Sequence, residues 1–330
     1  MKKSKLLAIV IVFMLAALAG CKKPEGARQP ESTEPPVSAP QETAGPSAEP
    51  SPPQETASPS PSADQEAILS EFESLLESGA DEKEAIDMML EKLPVLSKSN
   101  ASKMVLMFEQ YQLDAVARGD IVNRELVDLI QSSLEEPYNE EVINDPAAIE
   151  DDALKNAIQH LLDRGYKLIT PEGMYEAVIN YGAYKKFENY VTPDIRAYIE
   201  VKASESEKRT LSDAAIIIPI DEVYRRATSC MRFIELYPDS SKLEDVKSMY
   251  SSYIDSYFYG RDNTPAFGYS GNKLEQDFLD SYKAAAEDVS NPAWSAALQD
   301  YLAVLEENGC ALTQAVKDQR ENLVNRLKAL

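Results

Sequence analysis

The chain is poor in the residues from which most sites are built. Among 330 residues there are one histidine, one tryptophan and three cysteines. A lone histidine, His160, excludes the H-E-x-x-H zinc motif and any multi-histidine centre. No P-loop, G-x-G-x-x-G, C-x-x-C or G-x-S-x-G occurs, which removes the common signatures of nucleotide binding, thiol redox chemistry and the esterase nucleophile. Positive charge is also scarce: 33 Lys and Arg stand against 56 Asp and Glu, for a formal net charge of −23 at pH 7. Phosphate recognition needs cations in excess, so nucleic acid is not an expected partner. Sustained strand-type alternation is missing too. Tyr166 to Thr170 and Ala215 to Ile218 are short exceptions, read either as one minor ribbon or as buried connectors.

What is present begins with a membrane address. Lys2, Lys3 and Lys5 precede an uninterrupted apolar stretch from Leu6 to Ala19, the order of a secretory signal and short of the ~20 residues that span a bilayer. The stretch closes on Leu18-Ala19-Gly20-Cys21, which resembles the lipobox of bacterial lipoproteins. The resemblance implies a signal peptide over 1–20, cleavage before Cys21 and a diacylglycerol thioether on the Cys21 sulfur. The expected location is the extracytoplasmic face of the cell membrane, with the lipid on Cys21 as the membrane contact. Residues 21–63 hold 11 of the 20 prolines and no aromatic residue. A segment with so little to bury does not offset the entropy of ordering and reads as a disordered tether. Such tethers are common in lipoproteins of Gram-positive bacteria.

From Asp64 to Leu330 apolar residues recur at helical spacing. Ile68, Leu69, Phe72, Leu75 and Leu76 make one stripe, and Ile86, Met89, Leu90 and Leu93 the next, stopped by Pro94. Further stripes run through Leu154–Leu162, Val223–Ile234, Leu243–Tyr257, Leu274–Ala285 and Trp294–Leu305. Ser241 and Glu244 have capping-box spacing. The expected fold of 64–330 is all-α, with roughly ten to twelve helices, arranged as a multi-helix bundle or a TPR-like array of helical hairpins. A sub-boundary is expected near 135–146. Phe233, Tyr237, Pro238 and Ser240 form an F-x-x-x-Y-P-x-S turn similar to the inter-helix turn of tetratricopeptide repeats in envelope lipoproteins. The likeness covers one turn, without a 34-residue recurrence, and so implies one helical hairpin.

The candidate site is the loop from Gly260 to Gly271. Arg261, Asp262, Asn263, Phe267 and Tyr269 mix polar orienting groups with apolar area, as small binding sites do; packing of the aromatics onto the core over an Asp262-Asn263 turn is the alternative. Glu172, Tyr175 and Tyr257 are second-rank candidates. Acidic runs at Glu135-Glu136, Glu140-Glu141 and Glu150-Asp151-Asp152 lack the calcium-loop pattern and read as solvated. Ser270-Gly271-Asn272-Lys273 has the S-x-x-K spacing of penicillin-recognising enzymes, but the companion motifs are missing. Cys230 and Cys310 sit in apolar helical contexts and leave a disulfide open. No cofactor and no metal are expected. The expected function is a membrane-anchored helical binding or scaffold protein recognising an envelope protein or cell-wall component. The alternatives are a cell-wall-active enzyme using acidic residues and a solute-binding lipoprotein of a transporter.

Overall fold

Residues 63–134, 139–269 and 272–329 are described by the structure, a computed structural model. Cys21, the signal and tether segments, Glu135-Glu136 and Ser270 lie outside them. The fold is all-α, with thirteen α-helices among the described residues and strands only in three two-stranded antiparallel ribbons.

The N-terminal part holds α1 (Ala63–Glu77), α2 (Glu82–Lys92) and α3 (Lys98–Arg118). Asp81 caps α2 by accepting from Lys83 N at 2.9 Å, and Ser97 caps α3. The Gln65 side chain accepts from Ser97 N and Asn100 Nδ2, both at 3.0 Å, and so ties α1 to the start of α3. The α1 stripe buries Leu69, Phe72 and Leu76, while the second stripe buries Ile86, Met89 and Leu93 but leaves Leu90 exposed. Next come α4 (Arg124–Ser133), the single turn α5 (Glu140–Ile143) and α6 (Asp152–Asp163).

The two expected strand segments do not meet. Tyr166–Ile169 is β1 and pairs with β2 (Glu176–Ile179); Ala215–Ile216 is β4 and pairs with β3 (Leu211–Ser212). Each makes a local hairpin, the cheaper closure because only a few residues are fixed between the strands. Between these ribbons lie the single turn α7 (Tyr181–Tyr184) and α8 (Pro193–Glu207), with Pro193 in the first helical turn, where its missing N–H is harmless.

The C-terminal part is α9 (Ile220–Leu236), α10 (Leu243–Tyr259), the ribbon β5 (Gly260–Arg261) and β6 (Thr264–Pro265), α11 (Gln276–Ala286), α12 (Pro292–Glu307) and α13 (Gln314–Lys328). α9 and α10 form the hairpin expected at the Tyr237-Pro238 turn, with the Phe233 and Tyr237 rings 5.4 Å apart. Ser240, not Ser241, serves the start of α10: its hydroxyl accepts from Lys242 N and donates to Asp194 at 2.7 Å. α11 packs on α9 and α12, α12 on α13, and α13 back on α10, so the five helices close a ring. Trp294 fills it, stacked on Phe258 at 5.7 Å and edge-on to Tyr224 and Tyr257 at 5.4 and 5.6 Å. Cys230 and Cys310 are both free thiols. Burial pushes the Cys230 thiol up to about 12, which keeps it protonated and inert.

The centre of the molecule is polar. Glu109 of α3 is 1% exposed. Its Oε1 accepts from the hydroxyls of Tyr181 and Tyr198, each at 2.6 Å. Lys242 Nζ stands 2.7 Å from Oε2, a contact ion pair whose angle is poor for a hydrogen bond. One helical turn along, Gln112 accepts from Tyr184 and donates to the Arg164 carbonyl at 2.8 Å. At the N-terminus of α2, buried Glu82 accepts from Tyr166 at 2.7 Å and from Arg164 at 2.6 Å. Removing one member of a buried charge pair leaves the other uncompensated. Glu109→Ala is therefore expected to lower unfolding free energy by about 3–5 kcal/mol, read as a fall in the urea midpoint at constant slope. A loss under ~1 kcal/mol would show that the cluster holds nothing together.

Candidate functional site

The strongest surface feature is the meeting of three turns. The first, Pro171–Gly173, links β1 to β2 and holds Glu172 at φ 49°. The second, Asp213 and Ala214, links β3 to β4 with φ 47° and 58°. The third, Asp262 and Asn263, links β5 to β6. Glu172 N donates to Asp213 Oδ1 at 3.3 Å, Asn263 N donates to Ala214 O at 3.0 Å, and the Asn263 amide donates to Asp213 O. Ile216 N donates to Thr264 Oγ1 at 3.1 Å, which closes the second ribbon on the third.

Two positions at this edge carry backbone demands. Left-handed φ at both central residues makes a type I′ hairpin turn, which favours Asn-Gly or Asp-Gly. Ala214 occupies the second position and bears a Cβ clash of roughly 1–2 kcal/mol. Gly260 has φ 74° and ψ −156°, and a Cβ there would lie 2.3 Å from the Thr264 carbonyl oxygen. Only glycine fits that position.

The structure sorts the candidate residues. Asp262, Asn263 and Tyr269 stand at the edge, and Glu172, from a distant part of the sequence, joins them through Asp213. Tyr269 is 84% exposed, its hydroxyl donating to the Asp262 carbonyl. Arg261 is turned away: its guanidinium donates to Ser256 Oγ at 3.0 Å and to the Ser252 carbonyl at 3.1 Å, pinning the hairpin to the last turns of α10. Phe267 is buried and packs under the Arg320 guanidinium at 5.3 Å. Tyr257 is core, hydrogen-bonded with Ser281 at 3.0 Å and accepting at its carbonyl from Tyr282. These two aromatics stabilise the fold and present nothing to a ligand. Tyr175 lines a cleft of about 220 Å³ with Val122 and Ala177.

Sequence reasoning missed Asp213 and Ala214, while Met174, in the second-rank segment beside Glu172, is exposed. The dipeptide Asp-Ala is no hairpin signature, so nothing marked that turn as the joint between the other two. The acidic runs serve local structure: Glu140 accepts from Thr170 N and Arg209, and Asp151 caps α6 at 2.8 Å. His160 lies exposed, with Nε2 3.9 Å from Asp81. Among the described residues no group of three or more His, Cys, Asp or Glu is placed to hold a metal ion.

No family model, curated protein or solved structure matches this chain. The site therefore rests on its geometry. That geometry offers exposed aromatic and thioether area on turns fixed by backbone hydrogen bonds, rimmed by the carboxylates of Glu172, Asp213 and Asp262.

Two substitutions separate the roles of the turns. Gly260→Ala is expected to destabilise by about 2–4 kcal/mol, since the clash is with backbone. Ala214→Gly is expected to stabilise by up to about 1 kcal/mol by relieving a left-handed alanine. Thermal unfolding of both variants checks the pair; a shift of the same sign in each would contradict the turn geometry.

Proposed function

We propose that the protein is a lipid-anchored, extracytoplasmic binding protein of a bacterial envelope, and that the three-turn edge receives an envelope protein or a cell-wall component. The observation that supports this reading best is the convergence of Glu172, Asp213 with Ala214, and Asp262 with Asn263 on one surface. Strain of this kind persists only where the surroundings over-determine it, and it concentrates at ligand clamps. Exposed Tyr269 and Met174 supply contact area, and a tyrosine or thioether brings much of it at small entropic loss. The carboxylates at the rim favour a partner surface with amines or guanidinium groups.

The anchor in this reading is the lipid on Cys21. One acyl chain holds a protein marginally and two hold it stably, so a diacylglyceryl cysteine is sufficient without a membrane-seeking face. The acidic chain, at −23, would be repelled by an anionic leaflet, which makes the lipid the whole attachment. The 21–63 segment then acts as a leash with a reach on the order of tens of ångströms.

Crosslinking in the native envelope tests the edge. The combined variant Met174→Ser/Tyr269→Ala, with an unchanged melting temperature, is expected to lose the partner that wild type captures; equal capture by both would remove the edge from the proposal. For the anchor, Cys21→Ser is expected to release the protein from membranes or leave its signal uncleaved. Unaltered processing and membrane retention would overturn the lipoprotein assignment.

A further inference from the structure

A second site lies beside the first ribbon, where cations gather in an otherwise acidic protein. A cleft of about 390 Å³ opens among α3, β1, β2, α8 and α10. Leu113, Val178 and Met249 give it an apolar wall. Lys167, Lys202 and Arg209 all line it. Its single carboxylate, Glu205, is already engaged: it accepts from Arg226 at 2.9 Å, Tyr253 at 2.8 Å and both the N–H and hydroxyl of Thr210.

The cations are not matched in the same way. Lys202 Nζ rests over the Tyr181 ring at 4.6 Å and the Tyr198 ring at 6.0 Å, with no ion pair among the described residues. Lys167 donates to the Ser206 carbonyl and likewise has no ion pair there. Arg209 gives one arm to Glu140, while its buried Nε has no hydrogen-bond partner. Burial holds both lysines below their ordinary pKa, against the pull of Glu109 on Lys202 and of Glu140 on Lys167. Two half-buried ammonium groups facing an apolar cavity are expensive unless an anion completes them. Acidic residues exceed basic ones by 23 in the chain, yet Glu205 is the one carboxylate among the residues lining this cleft.

We propose that this cleft binds a small anionic amphiphile, with a carboxylate or phosphate between Lys167, Lys202 and Arg209 and an apolar body along Leu113, Val178 and Met249. The volume is at the lower end of the range for small-ligand sites, and a few convergent polar groups on an apolar wall are their usual composition. The tyrosine rings hold Lys202 in place without neutralising it, which keeps its charge available to the ligand. This site is independent of the three-turn edge, so either stands if the other fails.

Calorimetric titration tests it on the chain from residue 21 onward carrying Cys21→Ser, so that neither lipid, signal segment nor detergent competes. The probes are decanoate, decyl phosphate, decanol and inorganic phosphate, all below micelle formation. One saturable site for decanoate or decyl phosphate is expected, with decanol and inorganic phosphate at least about tenfold weaker. A preference between the two amphiphiles tells a carboxylate ligand from a phosphate one. Lys167→Met and Lys202→Met should each weaken binding about tenfold or more. Lys202→Arg should restore most of it, and Val178→Trp should block the cleft while far-UV ellipticity stays unchanged. Absence of saturable binding by both amphiphiles, equal binding of decanol, or full affinity in the Lys167→Met/Lys202→Met double variant would overturn the proposal.

Discussion

The structure depends on one buried charge. Glu109 is placed in the middle of the longest helix, α3, and three separate stretches of chain must reach it: α7 with Tyr181, α8 with Tyr198 and the start of α10 with Lys242. Two hydroxyls at 2.6 Å are charge-assisted contacts, stronger and more directional than neutral ones. A hydrophobic residue at 109 would bury as well, and a buried pair adds little net stability over a good apolar core. It does add discrimination. Any packing of α7, α8 or α10 that missed Glu109 would leave a carboxylate and an ammonium desolvated and alone, at a cost of several kcal/mol. Burial, reinforced by the same carboxylate, holds both tyrosine hydroxyls protonated far above the ordinary phenol range.

That cluster also joins the two ends of the fold. The N-terminal helices pack an aliphatic and thioether core around Phe72, Met89, Met104 and Phe108, while the C-terminal ring packs aromatics around Trp294. One hydrophobic cluster runs continuously through both. Polar links reinforce it: Glu109 to Lys242 joins α3 to the start of α10, while Gln112 to Tyr184, Ser102 to Thr192 at 2.9 Å, and Asp194 to Ser240 tie in α7 and α8. A second hub repeats the device toward the C-terminal half. Arg226, 6% exposed in its side chain, binds Glu205, Glu222, the Lys208 carbonyl and Thr210. It fixes the segment between α8 and α9, and with it the position of the β3–β4 turn.

The helical stripes were legible because their period is carried by apolar residues alone. Val246, Tyr250, Tyr253 and Tyr257 are buried on one face of α10, as are Trp294, Leu298, Tyr301 and Leu305 on α12. α3 was not legible for the opposite reason. Its buried face includes Asn100, Ser102, Glu109 and Gln112 between Met104, Val105 and Phe108, so a period counted in hydrophobes is broken where the fold is most constrained. A sequence shows that a glutamate is present, and burial of a glutamate depends on partners 72 to 133 residues away. The candidate loop fared in the same manner. Its turn residues were marked by composition, but Arg261 and Phe267 were drawn inward by Ser252, Ser256 and Arg320, which only the packing of α10 and α13 brings near.

The distribution of charge follows from the same logic. An acidic surface is cheap, since solvated carboxylates repel one another weakly through water and salt. Cations in this chain are few, and several are committed within a turn of their own helix, as in Lys83 with Asp87 or Arg225 with Asp221. Against that economy, Lys167 and Lys202 stand out because they hold positive charge in partly dehydrated positions without an ion pair among the described residues. Glu205 is on the same helix as Lys202 and three residues along, yet it turns to Arg226. A fold that spends its nearest carboxylate elsewhere leaves the cleft with unpaired positive charge among the described residues, and an anion held between Lys167, Lys202 and Arg209, as proposed, would balance it.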